Sequence, residues 1–173
     1  ISPKEIDVIV VGTITPDYKF PSAGNLICEK SGATNAWGFD LAAACSGFIY
    51  ALTTGAQFIE SGRHQKVIVI GVDIMSTIVD YTDRATCIIF GDGAGGVLLE
   101  ADSEGLGVID YILKNDATGK DYLIQKVGGS AEPLTEDNIR DNRHFIFQDG
   151  RPVFKHAVTK MADVSAEIME KNN

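Results

Sequence analysis

Ile6-Asp7-Val8-Ile9-Val10-Val11-Gly12 is a run of mostly β-branched residues that stops at a glycine, and its reading decides the fold. A strand with one wet face alternates apolar and polar residues. This run has no polar residue after Asp7, so the strand it predicts is buried on both faces. Val67-Ile68-Val69-Ile70 repeats the pattern, Cys87-Ile88-Ile89-Phe90 reads as a third such strand, and Val97-Leu98-Leu99 continues after a glycine-rich turn at residues 91–96. Between the first two strands lie two helical stretches. Residues 13–21 form a loop with Pro16, Asp17 and Pro21 as turn-formers. Ser22 then caps a short helix over 23–30, closed by Ser31-Gly32. Residues 37–44 return as an extended, mostly apolar segment. Over 46–61, Phe48, Leu52, Ala56 and Ile59 form one helical stripe with Gly62 past the end. Tyr50 and Phe58 lie off that stripe, so most of this helix is expected to be buried. Continuous apolar strands separated by helices define an α/β class, a sheet covered on both faces.

The composition changes after Asp102. Residues 114–145 are polar and turn-rich, with Asn115, Asp116, Gly119 and Gly128-Gly129, and a stretch this long reads as a functional excursion or a mobile loop. An amphipathic helix is expected over 153–171. No internal repeat or low-complexity tract occurs, and no break demands two independently folding domains.

The 173 residues suffice for a sizeable core. A net charge of −9 argues against broad binding to nucleic acid or anionic membranes, while leaving room for a small basic patch facing an acidic partner. No apolar run approaches the roughly 20 residues that span a bilayer. Cys28, Cys45 and Cys87 include no Cys-x-x-Cys pair, a poor set for zinc or for a disulfide framework, so reduced thiols and a cytoplasmic location are expected. Ile1-Ser2-Pro3-Lys4-Glu5 resembles neither a signal nor a transit peptide. Without an initiator methionine, the chain is expected to begin inside a longer protein.

Ala42-Ala43-Ala44-Cys45-Ser46-Gly47-Phe48 is the most informative segment for chemistry. A thiol at a helix N-terminus faces unpaired backbone N–H groups and the positive end of the helix dipole, and both favour thiolate. The alanines and Gly47 keep bulk low, so a substrate can approach. Two readings stand: an activated nucleophile, or a small buried hydrophobe, the commoner fate of a free cysteine. Cys28 and Cys87 lack this setting and read as core.

Gly91-Asp92-Gly93-Ala94-Gly95-Gly96 fits the spacing of a dinucleotide fingerprint, but a helix would have to begin there, and Val97-Leu98-Leu99-Glu100 reads as a strand. A tight turn is the better account. Of His64, His144 and His156, only His156, on a helix beside Lys155, is a candidate proton carrier, and a structural role is the commoner one. No spacing signature marks a metal site. Arg84, after Tyr81-Thr82-Asp83, is suited to phosphate or to stacking on a base, against the plainer reading of a loop ion pair.

Taken together, Asp40-Leu41-Ala42-Ala43-Ala44-Cys45-Ser46-Gly47-Phe48, Tyr81-Thr82-Asp83-Arg84 and Ile89-Phe90-Gly91-Asp92-Gly93-Ala94-Gly95 closely resemble β-ketoacyl-[acyl carrier protein] synthase III, a thiolase-like condensing enzyme. The similarity runs over residues 6–171 and weakens over 114–143. It implies a layered αβαβα thiolase-like fold, here incomplete: residues 1–102 as most of the N-terminal half without its first strand–helix unit, and 103–173 as the start of the C-terminal half. It implies a homodimer and a two-stage reaction in which Cys45 takes a short acyl group from acyl-CoA and condenses it with malonyl-acyl carrier protein. Coenzyme A thioester is then a substrate, and no cofactor or metal is implied.

By the same resemblance, Arg84 packs on the adenine of coenzyme A, and Phe20 reaches across the dimer to the partner's acyl pocket. Gly150 and Phe154 line the pantetheine tunnel, and Lys155 takes part in docking the carrier protein. The family's catalytic histidine and asparagine motifs, His-Gln-Ala-Asn and Asn-Thr-Ser, do not occur in the sequence. His156 matches an ordinary helical position. The resemblance therefore implies the central portion of an enzyme, without condensing activity of its own. Two alternatives are a starter-unit condensing enzyme of polyketide or quinolone synthesis, and a folded association fragment with no catalysis.

Overall fold

The computed structural model describes residues 1–172. They group into two compact units, one of Ile1–Asp73 with Asp92–Tyr111, the other of Ile74–Gly91 with residues from Ile112 onward. The division at 102 and 103 expected from the resemblance concerns the halves of a larger fold and follows a different line.

In the first unit, strand β1 (Val8–Gly12) is followed by helix α1 (Ala23–Ser31), strand β2 (Trp37–Leu41), helix α2 (Gly47–Glu60), strand β3 (Lys66–Ile74) and strand β4 (Asp92–Glu100). The sheet order is β2-β1-β3-β4, with β1 parallel to both β2 and β3. Every residue of β1 is buried, as its unbroken apolar run requires. Its side chains alternate between faces. Val8 and Val10 join Val67, Val69 and Ala51 on the α2 side, while Ile9 and Val11 pack with Ala23, Ile27 and Cys28 on the α1 side. Each fully buried Val or Ile contributes about 1.5–3 kcal/mol of transfer free energy, so β1 is the backbone of both cores.

The helix ends follow the expected chemistry. Ser22 caps α1 through Asn25 N–H, and Gly32 closes it with φ 76°. The α2 stripe is less deeply buried than expected: Ala51, Thr53, Gly55 and Ala56 are buried, while Phe48, Leu52 and Ile59 are half-buried at the edge of the core.

Two strand assignments differ from the sequence reading. The glycine run 91–96 does not turn. From Asp92 it is the first half of β4, and none of its glycines has positive φ. Gly96 is needed there, because a Cβ on it would lie 2.9 Å from the Val69 carbonyl oxygen. Cys87-Ile88-Ile89-Phe90 is not a strand. Cys87 N–H donates to Asp83 O (3.0 Å) and Phe90 N–H to Thr86 O (3.2 Å), a tightly turned segment with Ile88 and Ile89 exposed. A four-residue apolar run carries no period, and here local turn bonds decide it.

The second unit holds strands β5 (Leu123–Ile124) and β6 (Phe147–Gln148), paired antiparallel, with helix α3 (Glu136–Arg140) between them and helix α4 (Gly150–Lys171) after them. The polar stretch 114–145 is therefore partly built. Thr135 and Asn138 form a reciprocal capping box on α3, and Arg143 pairs with Glu132 at 2.6 Å. Helix α4 begins three residues before its expected start, and none of its residues is buried. Among the described residues no helix is long and apolar enough to cross a membrane.

Candidate active site

The parallel strands β2, β1 and β3 all end on one side of the sheet, where open α/β folds place their ligands. Cys45 follows β2 at that side. It sits in a single 3-10 turn, Ala44–Ser46, that leads directly into α2. The turn is sharp: Ala44 has φ 44°, a left-handed conformation that costs a residue with a Cβ about 1–2 kcal/mol. Such strain persists only where the surroundings impose it.

The helix that follows the turn rests on a seat of glycines. Gly12 ends β1, Gly71 lies opposite it in β3, and the first turn of α2 rests on both. A Cβ on Gly12 would stand 2.6 Å from the Gly47 carbonyl carbon, and one on Gly71 would stand 3.0 Å from Phe48 Cβ. A Cβ on Gly47 itself would meet nothing closer than 3.6 Å. The low bulk that lets the helix approach the sheet therefore belongs to Gly12 rather than to Gly47.

Cys45 is exposed, whereas a buried thiol is expected of it from sequence whether it serves as nucleophile or as a small hydrophobe. No side chain caps the N-terminus of α2; Ser46 N–H donates to Ala43 O (3.0 Å) and Gly47 N–H to Ala44 O within the turn that leads into it. An exposed thiol beside the positive end of α2 is open to an incoming substrate, and negative charge developing there is favoured by the helix dipole. Cys28 differs: it packs against the α1-side core, and burial pushes its thiol pKa up. Cys87 is half-buried.

The other expected site residues fall as follows. Phe20 is in the first unit, 85% exposed, one residue before Pro21 across a cis peptide bond, with Ser22 and α1 next. Asp40 anchors that helix, its two carboxylate oxygens accepting from Ala23 and Gly24 N–H at 2.8 Å each. Arg84 is in the second unit, exposed on a turn held by two aspartates. Asp80 Oδ1 accepts from Thr82 N–H (2.8 Å) and its hydroxyl (2.7 Å), and Asp83 from Ala85 N–H (2.9 Å) and the Thr86 hydroxyl (2.8 Å). Arg84 does not precede a strand, so the turn itself presents it. Gly150 opens α4, and Phe154 and Lys155 are exposed on its first turns. Asp149 N–H donates to Tyr122 O at 2.7 Å, fixing the entry to α4 beside the β5–β6 pair. His156 Nε2 lies 3.8 Å from Asp116, an ordinary surface contact. No group of three or more His, Cys, Asp or Glu able to hold a metal occurs among the described residues.

Sequence reasoning missed Gly12, Gly71 and Asp73. The signal for the glycines was present: two apolar runs, Val8-Ile9-Val10-Val11 and Val67-Ile68-Val69-Ile70, each stop at a glycine, and the register aligns them.

A mixed α/β unit with a cysteine on a strained strand-to-helix turn, at the carboxyl ends of parallel strands, fits the thiolase-like fold that the resemblance implies. Residues 39–117 match the family model described as 3-oxoacyl-[acyl-carrier-protein] synthase III. The chain is 58% identical, over 99% of its length, to a β-ketoacyl-[acyl-carrier-protein] synthase III of Chlorobium luteolum, and covers 53% of that protein. The crystal structure of 3-oxoacyl-[acyl-carrier-protein] synthase III from Aquifex aeolicus superposes with a TM-score of 0.84 at 36% identity, over 99% of this chain and 51% of that one. The priming β-ketosynthase of the R1128 polyketide pathway superposes with a TM-score of 0.80 at 30% identity, over 96% and 49%. Over nearly its whole length the chain is similar to β-ketoacyl-[acyl-carrier-protein] synthase III proteins. It spans about half the length of the curated relatives it matches.

Proposed function

We propose that the protein carrying this sequence is an acyltransferase that loads a short acyl group from acyl-CoA onto Cys45 and condenses it with malonyl-acyl carrier protein to start fatty-acid synthesis. The observation that carries this reading is Cys45, exposed on a strained turn at the uncapped N-terminus of α2. In the first stage the Cys45 thiolate attacks the thioester carbonyl, the C–S bond to coenzyme A breaks, and the coenzyme A thiolate leaves and takes up a proton. In the second, malonyl-acyl carrier protein loses CO2, and the resulting carbanion attacks the acyl-cysteine, releasing a 3-oxoacyl product and free Cys45. The positive end of the α2 dipole supports the first stage by balancing negative charge that develops on the thioester oxygen.

Arg84 packs on adenine, Phe20 enters the partner's acyl pocket in a homodimer, Gly150 and Phe154 line the pantetheine path, and Lys155 meets the acidic carrier protein. Coenzyme A thioester is substrate, no cofactor is used, and the reaction takes place in the cytoplasm. Residues 1–102 belong to the N-terminal half of the thiolase-like fold and 103–173 to the start of the C-terminal half. The sequence has neither the His-Gln-Ala-Asn nor the Asn-Thr-Ser motif, so the 173-residue chain acylates without condensing.

The second reading, a starter-unit enzyme of polyketide synthesis, draws on the likeness to the priming ketosynthase. Profiling acyl-CoA and malonyl donors with the protein at the length of its relatives separates the two. Acetyl-CoA or another short primer giving 3-oxoacyl-carrier protein, lost in Cys45→Ser, supports the first. Strict use of a polyketide carrier protein supports the second, and product formation by Cys45→Ser sinks both. A non-catalytic association fragment predicts no acyl transfer at all.

A further inference from the structure

Asp73 lies at the carboxyl end of β3, half-buried. Its Oδ1 accepts three hydrogen bonds from the loop after β1: the Thr13 hydroxyl (3.1 Å), Ile14 N–H (2.8 Å) and the Thr15 hydroxyl (3.0 Å). The Thr13 oxygen in turn accepts from Thr15 N–H at 3.1 Å. Thr13 N–H donates to the Leu41 carbonyl at 3.1 Å, at the end of β2. The Asp73 carboxylate ties the end of β3 to the loop after β1, and the Thr13 backbone ties that loop to the end of β2, so three adjacent parallel strands end in one rim. The nucleophile is built on this rim: Leu41 precedes Cys45 by four residues, and Gly12, next to Thr13, carries the backbone of Gly47.

We propose that Asp73 is a positioning residue for Cys45, holding the β1 loop so that the Gly12 seat keeps the first turn of α2 and the strained Ala44–Ser46 turn in place. This rests on the reading of Cys45 as the acylated nucleophile. A simple turn-stabilising aspartate would bond locally. Asp73 instead reaches partners 58 to 60 residues away in sequence, in the loop that follows the strand under Gly47. Charge-assisted acceptors of this kind are stronger than neutral ones, which suits a fixed rim. Displacing reacting groups by about 1 Å costs on the order of a hundredfold in rate.

The test uses the 173-residue chain with two readouts. Iodoacetamide alkylation, followed peptide by peptide, reports the setting of each thiol. Single-turnover acetylation by acetyl-CoA reports the chemistry. Asp73→Ala is expected to slow Cys45 alkylation about fivefold, as the turn that presents the thiol at the helix terminus loosens, with Cys28 alkylation unchanged. It should slow Cys45 acetylation by about ten- to a hundredfold at an unchanged half-saturating acetyl-CoA concentration. Asp73→Asn keeps an acceptor and should recover to within about threefold of wild type. Should Asp73→Ala fail to fold, Thr13→Val, which removes one donor, is expected to slow Cys45 alkylation measurably. Cys45 alkylation unchanged in folded Asp73→Ala, or in Thr13→Val, overturns the positioning role. Absence of acetylation in wild type strikes the functional reading, while the alkylation series still decides the role of Asp73.

Discussion

A Cβ placed on Gly12 would lie 2.6 Å from the Gly47 carbonyl carbon, whereas one placed on Gly47 would lie 3.6 Å from Gly12. The contact is one-sided because β1 runs directly under the start of α2. Adding one carbon to the strand must lift the helix and the Cys45 turn, and adding one to the helix need move nothing. Gly12→Ala is expected to lower stability by about 1–3 kcal/mol through overpacking. It should also slow Cys45 alkylation. Gly47→Ala should change stability by less than about 1 kcal/mol. Urea melts with thiol labelling of both variants check this, and the opposite ranking would refute the seat.

The double-faced core makes a second prediction. Ile9 is fully buried in the middle of β1. Truncation by Ile9→Ala removes three carbons with little room to collapse between two flanking strands, so a loss of about 2–5 kcal/mol is expected. Trp37, the chain's single tryptophan, stacks on Phe39 with ring centroids 5.7 Å apart and reports unfolding of this unit by fluorescence.

A third concerns pH. Asp7 accepts from Gln65 N–H (2.6 Å) and Lys66 N–H (2.9 Å) at the start of β3, and these bonds hold its carboxyl below the ordinary value. A carboxylate with a depressed folded-state pKa stabilises the fold above its unfolded pKa of about 3.9, and the contribution disappears as pH falls through the folded value. Asp7→Asn should therefore melt below wild type at pH 7, with the gap closing below about pH 4. A gap that stays constant with pH, followed by Trp37 fluorescence, would count against the assignment.

Much of this unit is legible in the sequence, for physical reasons that can be named. Val8 to Val11 and Val67 to Val69 announce a two-faced sheet, and Ser22 and Gly32 mark the ends of α1 by local chemistry alone. Cys87 to Phe90 misleads, because a short apolar run fits a turn as well as a strand. The glycines of β4 read as a turn from composition, and what they serve, a close approach to Val69, is a contact across the sheet. Cys45 was legible as a residue type at a helix start, whereas its exposure is set by neighbours. Asp73 carried no local signal, since its three partners lie 58 to 60 residues away.

A fourth prediction separates the two stages of the reaction. The 173-residue chain, given acetyl-CoA and malonyl-acyl carrier protein, is expected to form no 3-oxoacyl product, since its sequence lacks the histidine and asparagine motifs to which the resemblance assigns catalysis. Sustained product formation by the purified chain, detected by mass spectrometry of the carrier protein, would overturn this division of labour.

The central claim is that Cys45 is the residue that takes the acyl group. Its most direct test is to incubate the chain with acetyl-CoA, quench in acid, and map the cysteine peptides by mass spectrometry. The account predicts one acetyl group on the Cys45 peptide, none on those of Cys28 or Cys87, and none anywhere in Cys45→Ser. An unmodified Cys45, or acetyl spread equally over the three cysteines, would contradict it.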